Sequence, residues 1–196
     1  PRVLLILLFF FCLVSAVAVA QPTGIGEPEI TVTCDGGALY VTPSGLGPTL
    51  ASVGATVTVE ILDGDLQPIV GYPFQDVWID DFVSGGFEHC VGGTAADHDT
   101  DSSGVTTISG AMAAGGWSRY GLTVVVAGNP HSGPMLPIEV NSPDINGDLA
   151  VDLTDVAYFV VDYAGPYDFR SDFTHDGQLN LADVGRMIEH VGDRCP

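Results

Sequence analysis

Positive charge is nearly missing from this sequence. Five basic residues face 25 acidic ones among 196, giving a formal net charge of −20, and all five are arginine, because no lysine occurs. A surface of that sign repels phosphate backbones and anionic headgroups, and no basic patch reverses it, which argues against nucleic acid as a partner. Catalytic signatures are missing too: there is no G-x-S-x-G elbow, no phosphate-cradling glycine loop and no HExxH helix. No N-x-S/T acceptor for N-linked glycan is found. Helical periodicity is weak until residue 143, and an unbroken apolar run is confined to residues 3–20. These absences favour a protein that is not an enzyme.

Acidic residues, by contrast, are arranged. The stretch D-I-N-G-D-L-A-V-D-L-T-D puts Asp144, Asn146, Asp148, Asp152 and Asp155 at the first, third, fifth, ninth and twelfth places of a loop. The stretch D-F-T-H-D-G-Q-L-N-L-A-D repeats that spacing with Asp172, Thr174, Asp176, Asn180 and Asp183. Oxygen donors on alternate residues of a tight loop point at one hard cation, and a twelfth-place carboxylate on the following helix closes the shell. Seventh-place ligation runs through a backbone carbonyl, so Ala150 and Gln178 qualify whatever their side chains. With no Cys or His at the alternating places, zinc and copper lack soft ligands, and two calcium ions are the expected cofactors. Gly177 supplies the sixth-place bend of the second loop, whereas Leu149 stands there in the first and should bend less easily. His175, at a non-ligand place, is expected to face water.

Aspartate at the twelfth place, an apolar eighth residue (Val151, Leu179) and a helix after each loop make the segment resemble a type I dockerin. The resemblance covers about residues 143–192. It implies a pseudo-twofold pair of calcium loop–helix units that docks on a cohesin partner. In that family the tenth and eleventh places commonly hold a Ser-Thr type pair; here they are Leu153-Thr154 and Leu181-Ala182.

Earlier in the chain, Arg2, the apolar run and the A-V-A ending at Ala20 read as a secretory signal cleaved before Gln21. Cleavage would leave four arginines against the same 25 acids. Export sets an oxidising compartment, in which Cys34 with Cys90 is the favoured disulfide and Cys195 the odd one, left as a free thiol, a link between chains or a partner for either of the others. Residues 21–28 are expected to be a linker or exchangeable arm. From residue 29 to 142, seven β-like runs (30–34, 38–42, 55–62, 74–80, 104–110, 120–128 and 136–140) alternate in hydrophobicity between Gly, Pro, Asp and Ser turns. The expected fold is therefore mainly β: an antiparallel sandwich over residues 29–142, then a small all-α module over 143–196. The turn residues Asp63, Pro68 and Gly71, with Asp101 and Gly104 before a Thr-rich strand, resemble the bacterial Ig-like domains of invasin and intimin type. That resemblance implies a rod, spacer or adhesive module.

The remaining polar cluster, Asp97-His98-Asp99-Thr100-Asp101, is expected to be a solvated loop feeding the D-x-x-G turn. Trp78, Trp117 and Tyr120 offer faces for a sugar ring, although core packing is the commoner fate of aromatics in a sandwich. The expected function is that of a secreted, non-enzymatic calcium-binding protein, at the cell surface or outside it. It would work through protein docking, either by self-association head-to-tail into a filament or on a cohesin-like scaffold. No membrane contact is expected of the mature form. The alternative is a dockerin-borne cargo whose β domain binds carbohydrate or carries a small hydrolytic site.

Overall fold

Alternating apolar residues in the β-like runs build the strands of the computed structural model, which describes residues 29–82 and 86–196. The expected signal, 1–20, and the arm, 21–28, lie outside the described residues. In chain order the strands are β1 (Glu29–Thr33), β2 (Gly37–Tyr40), β3 (Val57–Leu62), β4 (Val77–Asp81), β5 (Glu88–His89), β6 (Val105–Ile108), β7 (Ala114–Gly115), β8 (Ser118–Arg119), β9 (Leu122–Val126), β10 (Asn129–Pro130) and β11 (Ile138–Asn141). Each of the seven runs read from the sequence contributes one of the longer strands. The two-residue strands β5, β7, β8 and β10 are additions that no alternation pattern could signal.

The strands form sheets in the orders β1-β3-β6, β10-β9-β4 and β2-β11-β8, with β5 and β7 as a further pair. In β3 the burial alternates, with Val57, Val59 and Ile61 inside, as a strand with one covered face requires. Central strand β9 is buried along its whole length, which suits its unbroken apolar sequence. Inward residues of β2, β3, β4, β6, β9 and β11 share one large core. At Gly104, φ is +75° and an added Cβ would stand 2.6 Å from the Ile61 carbonyl oxygen, so this turn position admits glycine alone.

One pairing departs from the antiparallel expectation. Strands β2 and β11 run parallel, from Ile138 opposite Gly37 to Asn141 opposite Tyr40. Parallel neighbours need a long crossover, and here the crossover is nearly the whole β region between them. Because both strands run the same way, they deliver Tyr40 and Asn141 side by side at one end.

That end receives the C-terminal region, which carries helices α1 (Leu153–Ala164) and α2 (Leu181–His190). Both helices begin with a capping box: Asp152 and Asn180 cap the free N–H groups, and Asp155 and Asp183 accept from the cap backbone in return. A second, smaller core gathers Tyr40 of β2 with Ile145, Val151, Phe159, Phe173 and Met187. The 142/143 boundary expected from sequence is thus crossed by packing. Asn141 Nδ2 donates to the carbonyls of Phe169 (3.0 Å) and Asp172 (2.6 Å), and Ser44 Oγ donates to Asp193 Oδ2 at 2.6 Å.

The expected Cys34–Cys90 disulfide is not formed. Cys90 is bonded to Cys195, with Cα atoms 5.6 Å apart across a separation of 105 residues, and Cys34 is a free thiol. Cys34 packs half-buried against the large core, its thiol directed at the Ala55 carbonyl. The loop after β5 instead meets the returning C-terminal tail, a juxtaposition that pairing within the β region does not foresee. No helix of the described residues is long and apolar enough to cross a membrane.

Candidate metal loops

The two loops adopt one hydrogen-bond scheme. In the first, Asp144 Oδ1 accepts from the N–H groups of Gly147 (2.9 Å) and Asp148 (3.2 Å), and Oδ2 from Leu149 (2.8 Å). In the second, Asp172 accepts likewise from Asp176 (3.2 Å) and Gly177 (2.9 Å). The twelfth-place carboxylates match as well. Asp155 accepts from Asn146 (3.2 Å) and Asp152 (2.8 Å), and Asp183 from Thr174 (3.0 Å) and Asn180 (2.9 Å). Fifth-place Asp148 and Asp176 each accept from the N–H two residues on, at Ala150 (3.1 Å) and Gln178 (2.9 Å). Backbone donors therefore curl each loop around its own carboxylates.

The bends are matched by backbone conformation. Gly147 (φ 71°) and Leu149 (φ 69°) occupy the fourth and sixth places of the first loop; His175 (φ 54°) and Gly177 (φ 81°) occupy them in the second. Leu149 thus bends as far as Gly177, but at a strain of about 1–2 kcal/mol for a non-glycine residue in this region. Contrary to expectation, His175 is half-buried, its ring 5.8 Å from that of Phe169, and burial lowers its pKa.

The second residue of each loop, Ile145 and Phe173, is driven inward, as are Phe159 and Met187 at matching places of the two helices. First- and twelfth-place carboxylates lie at the base of this core: Asp144, Asp155 and Asp183 are fully buried and Asp172 nearly so. Asn146, Asp148, Asp152 and Asp176 are exposed, with Thr174 and Asn180 intermediate. Burial pushes Asp144 up to about 7, and the Asp155 and Asp148 charges add to it against the Leu149 N–H. Asp155 is raised by burial as well. Asp152, fully exposed, is lowered by the Thr154 groups it caps.

Among the described residues no three His, Cys, Asp or Glu side chains stand gathered as a metal-holding group. Several oxygens are turned to other partners: Asp152 Oδ1 accepts the Thr154 N–H at 2.6 Å, and Asp176 Oδ2 accepts from Asn180 Nδ2 at 2.9 Å. The donor set nevertheless suits a hard cation, because the side chains at the first, third, fifth, ninth and twelfth places all offer oxygen and each loop mixes carboxylates with an amide or hydroxyl.

Other contacts were not visible in the repeat. Tyr167 donates its hydroxyl to Asp172 Oδ2 at 2.9 Å; burial first, then this bond, pushes its pKa up to about 12. Gly115 lies against Asp144, and Gly116 N–H donates to the Asp144 carbonyl at 2.6 Å. Arg170 grips Asp162 with two bonds of 2.8 Å, joined by the Ser171 hydroxyl at 2.6 Å. None of these partners falls within the loop spacing that marked the site, so no signal in the sequence pointed to them.

The acidic cluster at 97–101 is committed to its turn. Asp97 accepts from Thr107 Oγ1 (2.7 Å) and Ser109 N (3.2 Å), Asp99 from Phe74 N (3.0 Å), and Asp101 from Ser103 N (2.7 Å) and Val105 N (3.1 Å). Of the three candidate sugar-stacking aromatics, Trp78 and Trp117 are half-buried. Tyr120 is exposed in the β8–β9 turn, with the Arg119 guanidinium 5.7 Å from its ring centroid. Comparison with family models, with curated proteins and with solved structures found no match.

Proposed function

We propose that the chain is a secreted, non-enzymatic calcium-binding protein that acts by docking on other proteins. In this reading its β region is an Ig-like sandwich and its C-terminal region a dockerin-like pair of loop–helix units. The observation that carries it is the shared scheme of the two loops: the same carboxylates accept from the same places, and the left-handed residues coincide. Asp144, Asn146, Asp148, the Ala150 carbonyl, Asp152 and Asp155 would hold one ion. Asp172, Thr174, Asp176, the Gln178 carbonyl, Asn180 and Asp183 would hold the other. Two divalent ions would offset four charges of a chain at −20 and relieve the mutual repulsion of Asp144, Asp148 and Asp155. The disulfide supports an oxidising, extracellular setting.

Docking draws support from the outer helix faces. Leu153 and Val160 of α1 are 80% and 57% exposed, and Leu181 and Ile188 of α2 are 77% and 68% exposed. These are matching places of the two units, and a seven-residue spacing keeps each pair on one side of its helix. Aliphatic residues exposed at equivalent places suit a protein partner, either another copy in a head-to-tail filament or a cohesin-like domain. Light scattering and negative-stain microscopy, in calcium and after chelation, distinguish the two. Calcium-dependent filaments support self-assembly. A monomer in both conditions, captured by an immobilised cohesin-like domain, supports the foreign partner; a calcium-independent state that binds neither contradicts the docking reading.

A further inference from the structure

The C-terminal tail is laid along the first loop and not the second. Val151 N–H donates to the Asp193 carbonyl and Gly192 N–H to the Val151 carbonyl, both at 2.8 Å, and Cys195 N–H donates to the Leu149 carbonyl at 3.3 Å. Ala150 and Arg194 form an antiparallel bridge. The tail thus brackets Ala150, whose carbonyl is the seventh-place donor, and it holds the carbonyl of the strained Leu149, whose N–H donates to Asp144 Oδ2. It is itself fixed at three points on other elements. Asp193 Oδ2 accepts from Ser44 Oγ at 2.6 Å and lies 2.9 Å from His190 Nδ1, and Cys195 is bonded to Cys90. Cys90 is buried whereas Cys195 is partly exposed. Among the described residues, Gly177–Leu179 of the second loop are given no such strand; there glycine takes the sixth-place bend without help.

We infer that the Cys90–Cys195 disulfide works as a clamp on the first loop, so that reduction selectively lowers calcium affinity at that loop. This rests on the calcium reading given above. Reduction by a dithiol delivers two electrons and two protons to the disulfide, leaves Cys90 and Cys195 as thiols, and converts the dithiol to its own cyclic disulfide. The freed tail then loses its covalent anchor, and the order it imposes on Leu149 and Ala150 must be supplied at the moment the ion binds.

The test is a calcium titration by calorimetry on the full chain, oxidised and after dithiothreitol, with wild type and Leu149→Gly. The expected result is two sites in the oxidised protein, one of them weakened at least tenfold by reduction and the other changed less than threefold. In Leu149→Gly the weakened site should recover to within about threefold of its oxidised affinity, because glycine adopts the bend without strain. Two sites indifferent to reduction, loss of both sites together, or an undiminished effect in Leu149→Gly would each overturn the clamp while leaving the calcium reading in place. An oxidised chain that binds no calcium would remove that reading itself.

Discussion

Replacing Phe173 by alanine probes the joint on which the loops are built. Phe173 is 2% exposed, its ring centroid 5.6 Å from that of Phe159 and 5.7 Å from that of Tyr40. It therefore touches α1, the end of β2 and the second loop at once. Burial of a side chain this size contributes about 3 kcal/mol, and the cavity left behind raises the loss to about 3–5 kcal/mol. Among the described residues the small core has six buried members, with Val156 and Val184 packed beside them, so little remains to collapse into the gap. With a urea slope of about 2 kcal/mol/M, a loss of about 4 kcal/mol moves the midpoint of the helical circular-dichroism signal by about 2 M. Calcium at about 100 times its dissociation constant adds about 2.7 kcal/mol for each occupied loop, so the ion should raise the midpoints of wild type and variant alike and leave the difference between them. A metal-free midpoint shift below about 0.5 M would refute the claim that this aromatic joint holds the module together.

The remaining predictions concern separate contacts. A Cβ at residue 115 would overlap Asp144 Oδ2, so Gly115→Ala should turn that carboxylate away and weaken calcium binding at the first loop at least tenfold while sparing the second, as read by calorimetry. For Asp162, burial raises the pKa but the Arg170 and Ser171 bonds outweigh it, and the net shift is downward. A depressed folded pKa stabilises above the unfolded value and is lost as pH falls through the folded value. Wild type should therefore lose stability on acidification below about pH 4 more steeply than Asp162→Asn, which at neutral pH should already be weaker by about 2 kcal/mol for want of the Arg170 partner. Ser44→Ala removes the 2.6 Å bond to Asp193 and should cost about 1 kcal/mol, seen as a lower thermal midpoint.

The strands were legible because Val57, Val59 and Ile61 alternate with outward-facing residues, and local alternation reports a covered face wherever a strand pairs with near neighbours. The same logic missed the parallel register of β2 with β11, since nothing in GALY or IEVN records a partner about a hundred residues away. It also misassigned the disulfide: Cys195 reaches Cys90 only because the tail doubles back along Leu149 and Val151, a path set by tertiary packing. The start of a helix after each loop was legible, because the repeated spacing is local, whereas the caps at Asp152 and Asn180 and the half-burial of His175 were not read from it. Leu149, expected to bend less easily than glycine, follows the same backbone course as Gly177 at the cost of strain, with the tail bonded to its carbonyl. The residues that seat the loops, Asn141, Tyr167 and Gly115, lie outside the repeat and carry no spacing of their own.

The central claim, that both loops are calcium sites, is tested most directly by calorimetric titration of the chelator-stripped chain with calcium. The account predicts two bound ions per chain, with Asp155→Ala and Asp183→Ala each abolishing one of them. A stoichiometry of zero at millimolar calcium, or binding that survives both substitutions together, would contradict it.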